Sequence, residues 1–222
     1  MFNIQIKNLV IGYNKPMTSP INCTINAGDF IAITGENGAG KTTFINTILG
    51  LTNKISGEIL FNDISKNEIG FMPQFTSVAN DFPTTAHEIV LSGNNPSLLP
   101  FYSKDDKLKT DKIMDELSIK DLKNKHFSIL SGGQKQRVLL ARTLVNPKKV
   151  LFIDEPSNNL DNDSTEVMNE LLHLINKKGT TVVLISHDER ILSNANCSIE
   201  FTDGNVVIRK QEQNVWYQFY LK

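Results

Sequence analysis

The sequence has few cysteines, almost no net charge and no long apolar run. Its two cysteines, Cys23 and Cys197, have no CxxC spacing and no nearby histidine cluster, which argues against a disulfide framework or a structural metal site. A formal net charge of −1 gives no overall positive field, so nucleic acid is not an expected partner. No apolar run approaches the roughly 18 residues that span a bilayer. Residues 1–13 alternate apolar and polar types, unlike a signal peptide, so we expect a cytoplasmic chain.

The order of the hydrophobic segments predicts an α/β fold. Alternation in Phe2–Leu9 and Ile21–Ile25 is typical of half-exposed antiparallel strands, whereas Phe30–Thr34 is typical of a strand buried on both faces. Further strands are predicted at Gly57–Phe61, Ile69–Met72, Val150–Ile153, Thr181–Ile185 and Ser198–Phe201, and helices at Lys41–Leu49, Ser164–Lys177 and Arg190–Ser193. Such alternation favours a mostly parallel sheet with helices on both faces.

The middle of the chain differs in character from its two ends. From about residue 75 to residue 130 the pattern is mainly helical, with pieces at Glu88–Leu91, Lys107–Leu117 and Ile119–Leu122 between interrupting prolines. We therefore predict a single domain over residues 1–222. It comprises an N-terminal antiparallel β subdomain, an α/β core, and an α-helical subdomain inserted at about residues 75–130.

A glycine-rich loop stands between a predicted strand and a predicted helix. Gly35, Gly40, Lys41 and Thr42 match the pattern G-x-x-x-x-G-K-[ST] of P-loop NTPases. Glycines let successive N–H groups turn towards phosphate oxygens, and the positive end of the following helix points at the same anion. Lys41 is expected to reach the β- and γ-phosphates of ATP, and the Thr42 hydroxyl to bind Mg²⁺. A chance match in a glycine-rich turn is the alternative, but it does not account for the flanking strand and helix.

Two adjacent carboxylates follow a strand of four apolar residues. Because α/β sheets bind ligands at the carboxyl ends of their strands, Asp154 and Glu155 are expected to lie in a binding site. Asp154 would hold hydrated Mg²⁺, and Glu155 would act as general base on the attacking water. Taken alone, the pair could also be solvated carboxylates in a surface turn.

A second glycine-containing segment, Leu130–Gln134, opens the predicted helical run Lys135–Leu144. Its glycines expose N–H groups at a helix start and Ser131 adds a hydroxyl, as at a phosphate-binding helix terminus. The first loop already fills that role for one nucleotide. A glycine N-cap without a ligand is the alternative reading of this segment.

In this order, the segments resemble the ATP-binding cassette (ABC) family of nucleotide-binding domains over essentially the whole chain. The matching segments are Gly35–Thr43 (Walker A), Gln74 (Q-loop), Leu130–Gln134 (signature LSGGQ), Val150–Pro156 (Walker B with the catalytic glutamate), Ser157–Asp161 (D-loop) and Ile185–Asp188 (switch histidine). The signature is the most specific of them, because P-loop proteins outside the family lack it.

The resemblance assigns roles to individual residues. It implies catalytic roles for Glu155, His187, Lys41 and Gln74, and Mg²⁺ binding by Thr42, Gln74 and Asp154. The residues it assigns to ATP are Tyr13, Gly35, Glu36, Asn37, Gly38, Ala39, Gly40, Lys41, Thr42, Thr43, Ser131, Gly132, Gly133, Gln134 and Asp161.

Some of these residue types also have ordinary structural explanations. Tyr13 would stack on adenine, and an ordinary half-buried tyrosine is the less favoured alternative. A lone histidine is more often structural, but His187 follows the predicted strand Thr181–Ile185, and this placement favours a functional role in which it hydrogen-bonds the γ-phosphate and the attacking water. His87, His126 and His173 have no comparable context and are expected to be structural or surface residues.

The resemblance also implies partners. The signature of one subunit would cover the ATP of another in a head-to-tail homodimer or paired cassette. Transport would need separate membrane permease subunits, which hold the chain at the inner face of the cell membrane, and indirectly an extracytoplasmic substrate-binding protein. The residues that either dock such a permease or form the core of the inserted subdomain are Phe75, Phe82, Leu98, Leu99, Phe101 and Tyr102.

One segment bears on the transported substrate. Asp81–Gly93 is most similar to the cassettes of zinc and manganese importers. Import of a siderophore or another substrate stays open on this basis. So does a soluble scaffold ATPase, such as those of iron–sulfur cluster assembly.

Overall fold

The computed structural model describes residues 1–74, 84–94, 101–158 and 160–210. The predictions for Phe75, Phe82, Leu98 and Leu99 lie outside these residues, as do residues 81–83 of the segment similar to metal importers. The extent of the domain, residues 1–222, and the bounds of the inserted subdomain stay predictions.

A small antiparallel sheet is built from the N-terminal part of the chain. Its strands are β1 (Asn3–Val10), β2 (Ile21–Asn26) and β4 (Ser56–Asn62), in the order β2-β1-β4. Alternating β1 residues, including Ile4 and Ile6, are fully or almost fully buried, as the period-2 pattern requires. The predicted antiparallel β subdomain is confirmed.

A larger sheet forms the centre of the molecule. Its strands are β3 (Phe30–Gly35), β5 (Ile69–Met72), β6 (Val150–Asp154), β7 (Thr181–Ile185), β8 (Cys197–Thr202) and β9 (Asn205–Lys210). Their order is β5-β6-β7-β3-β8-β9, and every pairing is parallel except β8 with β9. The mostly parallel sheet is confirmed, while β9 was not among the predicted strands.

Helices cover both faces of this sheet. They are α1 (Lys41–Ile48), α2 (Ala86–Leu91), α3 (Lys104–Glu116), α4 (Gly132–Leu144), α5 (Asn162–Lys177) and α6 (Glu189–Asn194). Short 3₁₀ turns occur at Lys66–Glu68, Lys120–Leu122 and Phe127–Ile129. One hydrophobic cluster packs α4 and α5 against one face of the large sheet. A second cluster packs α1 and the small sheet against the other face. None of the helices in the described ranges has the length and hydrophobicity needed to cross a membrane.

The helix that follows the signature begins earlier than the sequence predicted. The prediction placed its start at Lys135, whereas α4 starts at Gly132 with Ser131 as its N-cap. The Ser131 hydroxyl accepts from the Gln134 N–H, and the Gln134 side chain accepts from the Ser131 N–H. This capping box compensates for the low helix propensity of the two glycines. The N-cap is thus serine, not the glycine considered above.

Candidate functional site

The turn from β3 to α1 depends on glycine at two positions. Gly35 has φ +131°, and a Cβ there would lie 2.2 Å from the carbonyl oxygen of Phe201 on β8. Gly40, the N-cap of α1, has φ +103°, in the left-handed region that favours glycine. Between them lie Glu36, Asn37, Gly38 and Ala39. The short loop therefore presents its backbone at the positive end of α1, an arrangement suited to an anion.

Lys41 lies at this loop with its side chain largely buried. Its Nζ donates to the carbonyl oxygens of Gly35, at 2.6 Å, and Glu36, at 2.8 Å. An ammonium group has three N–H donors, so it can add a phosphate oxygen to these two contacts. The next residues, Thr42 and Thr43, lie in the first turn of α1, and Thr43 is also buried.

Parallel register brings the ends of four strands to one edge of the sheet. Asp154 at the end of β6 pairs with Ile185, the last residue of β7, and Ile185 pairs with Ile33 of β3. Met72, the last residue of β5, pairs with Ile153. The residues that follow these strand ends, Gln74, Glu155, His187 and the glycine loop, therefore share one edge, as ligand sites of α/β sheets do.

Asp154 and Thr42 meet at this edge although 112 positions separate them in sequence. Asp154 is only 4% exposed, and burial raises the pKa of its carboxyl group. A hydrogen bond with the Thr42 side chain opposes that rise, and so does the charge of Lys41, whereas neighbouring Glu155 adds to it. A buried carboxylate beside a hydroxyl is a set of oxygen donors that could hold a hard cation such as Mg²⁺.

Glu155 is connected to the end of β5. Its Oε2 accepts a hydrogen bond of 2.8 Å from the Gln74 amide Nε2. The Glu155 backbone has φ +48°, and its N–H donates to the carbonyl oxygen of Ile185. The half-buried carboxylate is thus held next to Asp154 and directed by groups from two neighbouring strands.

The segment Ser186–Asp188 follows β7, and its flanking residues are anchored. The N–H of buried Ser186 donates to Ile33 of β3, and the Ser186 hydroxyl accepts from the Asp188 N–H. Asp188 caps α6 and forms a bidentate pair with Arg190, and this pairing lowers the pKa of the Asp188 carboxyl group. His187 lies between these anchored residues and is exposed.

Tyr13 lies in a tight loop after β1, closed by pairing of Gly12 with Pro16. It is 71% exposed, so it is not the half-buried structural tyrosine that the sequence left open. An exposed aromatic face of this kind is available to stack on a purine.

The residues Ser131–Gln134 are not joined to the glycine loop by the hydrogen bonds that the structure describes. Ser131 and Gln134 bond to each other, and Gly133 packs against Ser164 in the first turn of α5. Asp161, the N-cap of α5, accepts from the Ser164 N–H at 2.7 Å, and this bond lowers the pKa of its carboxyl group. The segment and the N-terminus of α5 therefore form one unit.

Two amide side chains to which the sequence assigned no role of their own also contact this region: Asn158, within the D-loop segment, and Asn169 on α5. Asn158 Nδ2 donates to Glu155 Oε2 at 3.1 Å, and Asn169 Nδ2 donates to Asp188 Oδ2 at 3.2 Å. The D-loop motif includes Asn158 but does not give its contact with Glu155, and no spacing rule identifies Asn169. Only the folded geometry reveals them.

The order of these parts in the chain agrees with comparison to known families. The family model described as ABC transporter matches residues 18–158. The chain belongs to the ABC transporter family. The resemblance seen in the sequence is thereby confirmed, and so is the fold that it implied.

Relatives of this ABC chain include ATP-binding subunits of metal transport systems. It is 36% identical over 195 residues to the manganese transport system ATP-binding protein MntB of Bacillus subtilis, covering 85% of this chain and 78% of the relative. It is 30% identical over 222 residues to the high-affinity zinc uptake system ATP-binding protein ZnuC of the same organism, covering 96% and 94%.

Solved structures match over nearly the whole chain. A metal-chelate type ABC transporter in an inward-facing conformation has a TM-score of 0.85 at 28% identity, covering 95% of this chain and 84% of that one. A dimeric ATP-binding cassette in a post-hydrolysis state, bound to ADP and phosphate, has a TM-score of 0.76 at 26% identity, covering 93% and 98%.

Proposed function

We propose that this chain is the ATP-hydrolysing subunit of an ABC transporter, which couples ATP binding and hydrolysis to substrate movement through separate membrane subunits. The observation that carries the proposal is the convergence at one sheet edge of the Gly35–Thr42 loop, buried Asp154 and half-buried Glu155. A phosphate-binding loop, a cation-binding carboxylate and a second carboxylate are the parts that phosphoryl transfer to water requires.

In this proposal the loop from Gly35 to Thr43 holds the phosphates of ATP. Backbone N–H groups at the start of α1 face the β- and γ-phosphates, and Lys41 contributes the positive charge. Tyr13 stacks on the adenine. Stacking of a base on an aromatic side chain contributes about 1–3 kcal/mol.

Mg²⁺ fits the donors at this edge. Among the described residues no group of three or more His, Cys, Asp and Glu side chains could hold a metal, but Mg²⁺ commonly binds one or two carboxylates together with substrate phosphates. Asp154, the Thr42 hydroxyl and the amide oxygen of Gln74 would hold the ion. When bound, Mg²⁺ neutralises the charge on the phosphates.

Two residues act on the attacking water in this scheme. Glu155 accepts its proton as general base, which accounts for about 10²–10⁴-fold of the rate. His187, exposed at the end of β7, hydrogen-bonds the γ-phosphate and the water. Lys41 stabilises the charge of the transferring phosphoryl group.

The active form is proposed to be a head-to-tail dimer. The Ser131 hydroxyl and the N–H groups of Gly132 and Gly133 in one subunit cover the ATP held by the loop of the other, with Gln134 and Asp161 beside them. Support comes from the described hydrogen bonds of Ser131 and Gln134, which join these two residues to each other and not to the glycine loop, and from the dimeric cassette relative. Loss of the γ-phosphate removes contacts across the interface, so ATP closes the dimer and hydrolysis opens it.

For the transported substrate we propose zinc or manganese import. The proposal is supported by the relatives named for manganese transport and zinc uptake. A subunit named for lipoprotein release, from Treponema denticola, is 35% identical over 84% of this chain, so identity alone does not select the substrate. Import implies a cytoplasmic position beneath permease subunits and an extracytoplasmic substrate-binding protein that delivers the ion to them.

The catalytic part of the proposal is tested with the purified full-length chain. Glu155→Gln is expected to keep ATP binding, to slow turnover by about 10²–10⁴-fold and to accumulate an ATP-bound dimer in size-exclusion chromatography. Asn67→Ala, which changes an exposed asparagine in the 3₁₀ turn before β5, serves as the control with unchanged turnover. Near-normal hydrolysis by Glu155→Gln, or a monomer at saturating ATP, would contradict the assignment.

The transport part needs cells. The tagged chain purified from detergent-solubilised membranes is expected to carry a multi-span partner, and Glu155→Gln is expected to abolish uptake of radioactive zinc or manganese. An exclusively soluble complex would favour the scaffold ATPase instead. Uptake of both metals at the wild-type rate in the variant would exclude them as cargo.

A further inference from the structure

One oxygen of the Glu155 carboxylate accepts two amide donors. Gln74 Nε2 reaches Oε2 at 2.8 Å, and Asn158 Nδ2 reaches the same Oε2 at 3.1 Å. Two donors on a single oxygen fix the plane and the direction of a carboxylate more firmly than one donor can. Among the hydrogen bonds that the structure describes, those to this carboxylate all go to Oε2. Oε1 is therefore the oxygen left to face a water molecule.

The backbone holds Asn158 in place for this contact. Glu155 has φ +48°, a conformation that costs a residue other than glycine about 1–2 kcal/mol. The turn that follows is closed by the Asn158 N–H, which donates to the Glu155 carbonyl oxygen at 3.3 Å. Asn158 therefore bonds to both the main chain and the side chain of Glu155, three residues away. A conformation of this kind persists where the surrounding structure holds it, here through the turn that Asn158 closes.

The two donors differ in what else they do. Gln74 follows β5, and its amide oxygen is already proposed for Mg²⁺. Asn158 lies on the same turn as the carboxylate and has no role in the scheme above. Because the Asn158 side chain is exposed, its replacement removes no core packing.

We propose that Asn158 is a positioning residue that orients the general base Glu155 through its hydrogen bond to Oε2. This inference rests on the proposed ATPase function. Asn158 touches neither ATP nor the attacking water in this proposal. It acts through Glu155, by holding Oε2 so that Oε1 is presented to the water.

The test measures kcat and KM for Mg-ATP hydrolysis by the full-length chain. Asn158→Ala removes the donor, and Asn158→Asp keeps the shape of the side chain but replaces the donor with an acceptor. We expect Asn158→Ala to lower kcat about 10-fold and Asn158→Asp at least as much, with KM and ATP affinity unchanged. Asn67→Ala is again the matched control.

A double-mutant cycle separates positioning from a general structural effect. In the Glu155→Gln background the carboxylate is gone, so adding Asn158→Ala is expected to change the residual rate by less than about twofold. An equal loss in both backgrounds, or a wild-type kcat in Asn158→Ala, would overturn the inference. A wild-type chain without ATPase activity, or an active Glu155→Gln variant, would instead contradict the proposed function on which it rests.

Discussion

The contact between Gly133 and Ser164 predicts that one substitution destabilises the fold and that a second substitution restores part of the stability. A Cβ added to Gly133 would lie 2.5 Å from Ser164 Oγ and 2.7 Å from Ser164 Cβ, closer than real Cβ atoms approach. The next atom, Ser164 Cα, is 3.7 Å away, which is an ordinary contact. Gly133→Ala should therefore push α4 away from α5. Ser164→Gly removes both of the close atoms and should relieve the clash.

The size of the effect follows from two opposing terms. Overpacking costs about 1–3 kcal/mol, and replacing Gly by Ala inside a helix returns up to about 1 kcal/mol. The net loss expected for Gly133→Ala is about 1–2 kcal/mol, or roughly 2–8 °C in Tm for a chain of this size. Ser164→Gly alone costs about 0.5 kcal/mol in helix propensity. The double variant should thus be more stable than Gly133→Ala.

The assay is urea denaturation, monitored by circular dichroism, of the wild type, Gly133→Ala, Ser164→Gly and the double variant. Their ATPase rates are measured as well. Stability should recover in the double variant, whereas ATPase activity should stay low because the added methyl group remains on the signature. A Gly133→Ala chain that Ser164→Gly does not stabilise would refute the packing argument. Recovery of full activity in the double variant would refute the role proposed for Gly133.

Three further predictions concern other parts of the fold. Gly35→Ala should prevent stable folding, because its Cβ would collide with the carbonyl oxygen of Phe201. Gly38→Ala has open space around its Cβ and should lower the free energy of unfolding by only about 1–2 kcal/mol, the strain of a left-handed backbone. Urea titration compares the two variants. Burial lowers the pKa of His173 below 6.5, so the unfolded chain binds more protons just below that pH. The free energy of unfolding should therefore fall from about pH 7.5 to 5.5, and less so in His173→Phe. Tyr13→Ala should weaken ATP binding about 5- to 150-fold in a fluorescence titration without changing stability, whereas Tyr13→Phe should leave ATP binding unchanged.

The parts of the site that could be predicted from sequence are those fixed by local rules. A strand, a glycine loop and a helix in succession are sufficient to place Lys41 and Thr42 at the phosphate-binding end of the helix. Asp154 at the end of β6 and Glu155 directly after it reach the same edge because parallel strands end together. Strand β9 was missed although Asp203 and Gly204, both with positive φ, form the two-residue turn typical of a hairpin. An Asp-Gly pair between two apolar runs is thus the sequence signal that predicts β9.

Other features depend on geometry that no sequence pattern encodes. The contact of Asn158 with Glu155 depends on the left-handed backbone conformation of Glu155, which glutamate rarely adopts. The start of α4 at Gly132 depends on the absence of a Cβ at Gly133, where α5 approaches. Propensity alone argues against two glycines in a first helical turn. In both cases a tertiary contact overrides a local preference.

A short stretch of chain connects the two halves of the proposed site. Glu155, the proposed base, is bonded to Asn158, and Asp161 caps the helix whose Ser164 packs against Gly133. In a head-to-tail dimer these ten residues link the base at one ATP to the signature at the other. Contiguity alone does not establish coupling, which requires an element with two arrangements. The Gly133–Ser164 contact could be part of such an element, because α4 and α5 pack so closely here that a displacement of α5 would move Gly133 with it. If it transmits the state of one site, Ser164→Gly, which removes the two contacting atoms and leaves the signature unchanged, should reduce cooperativity in ATP between the two sites more than Asn158→Ala does.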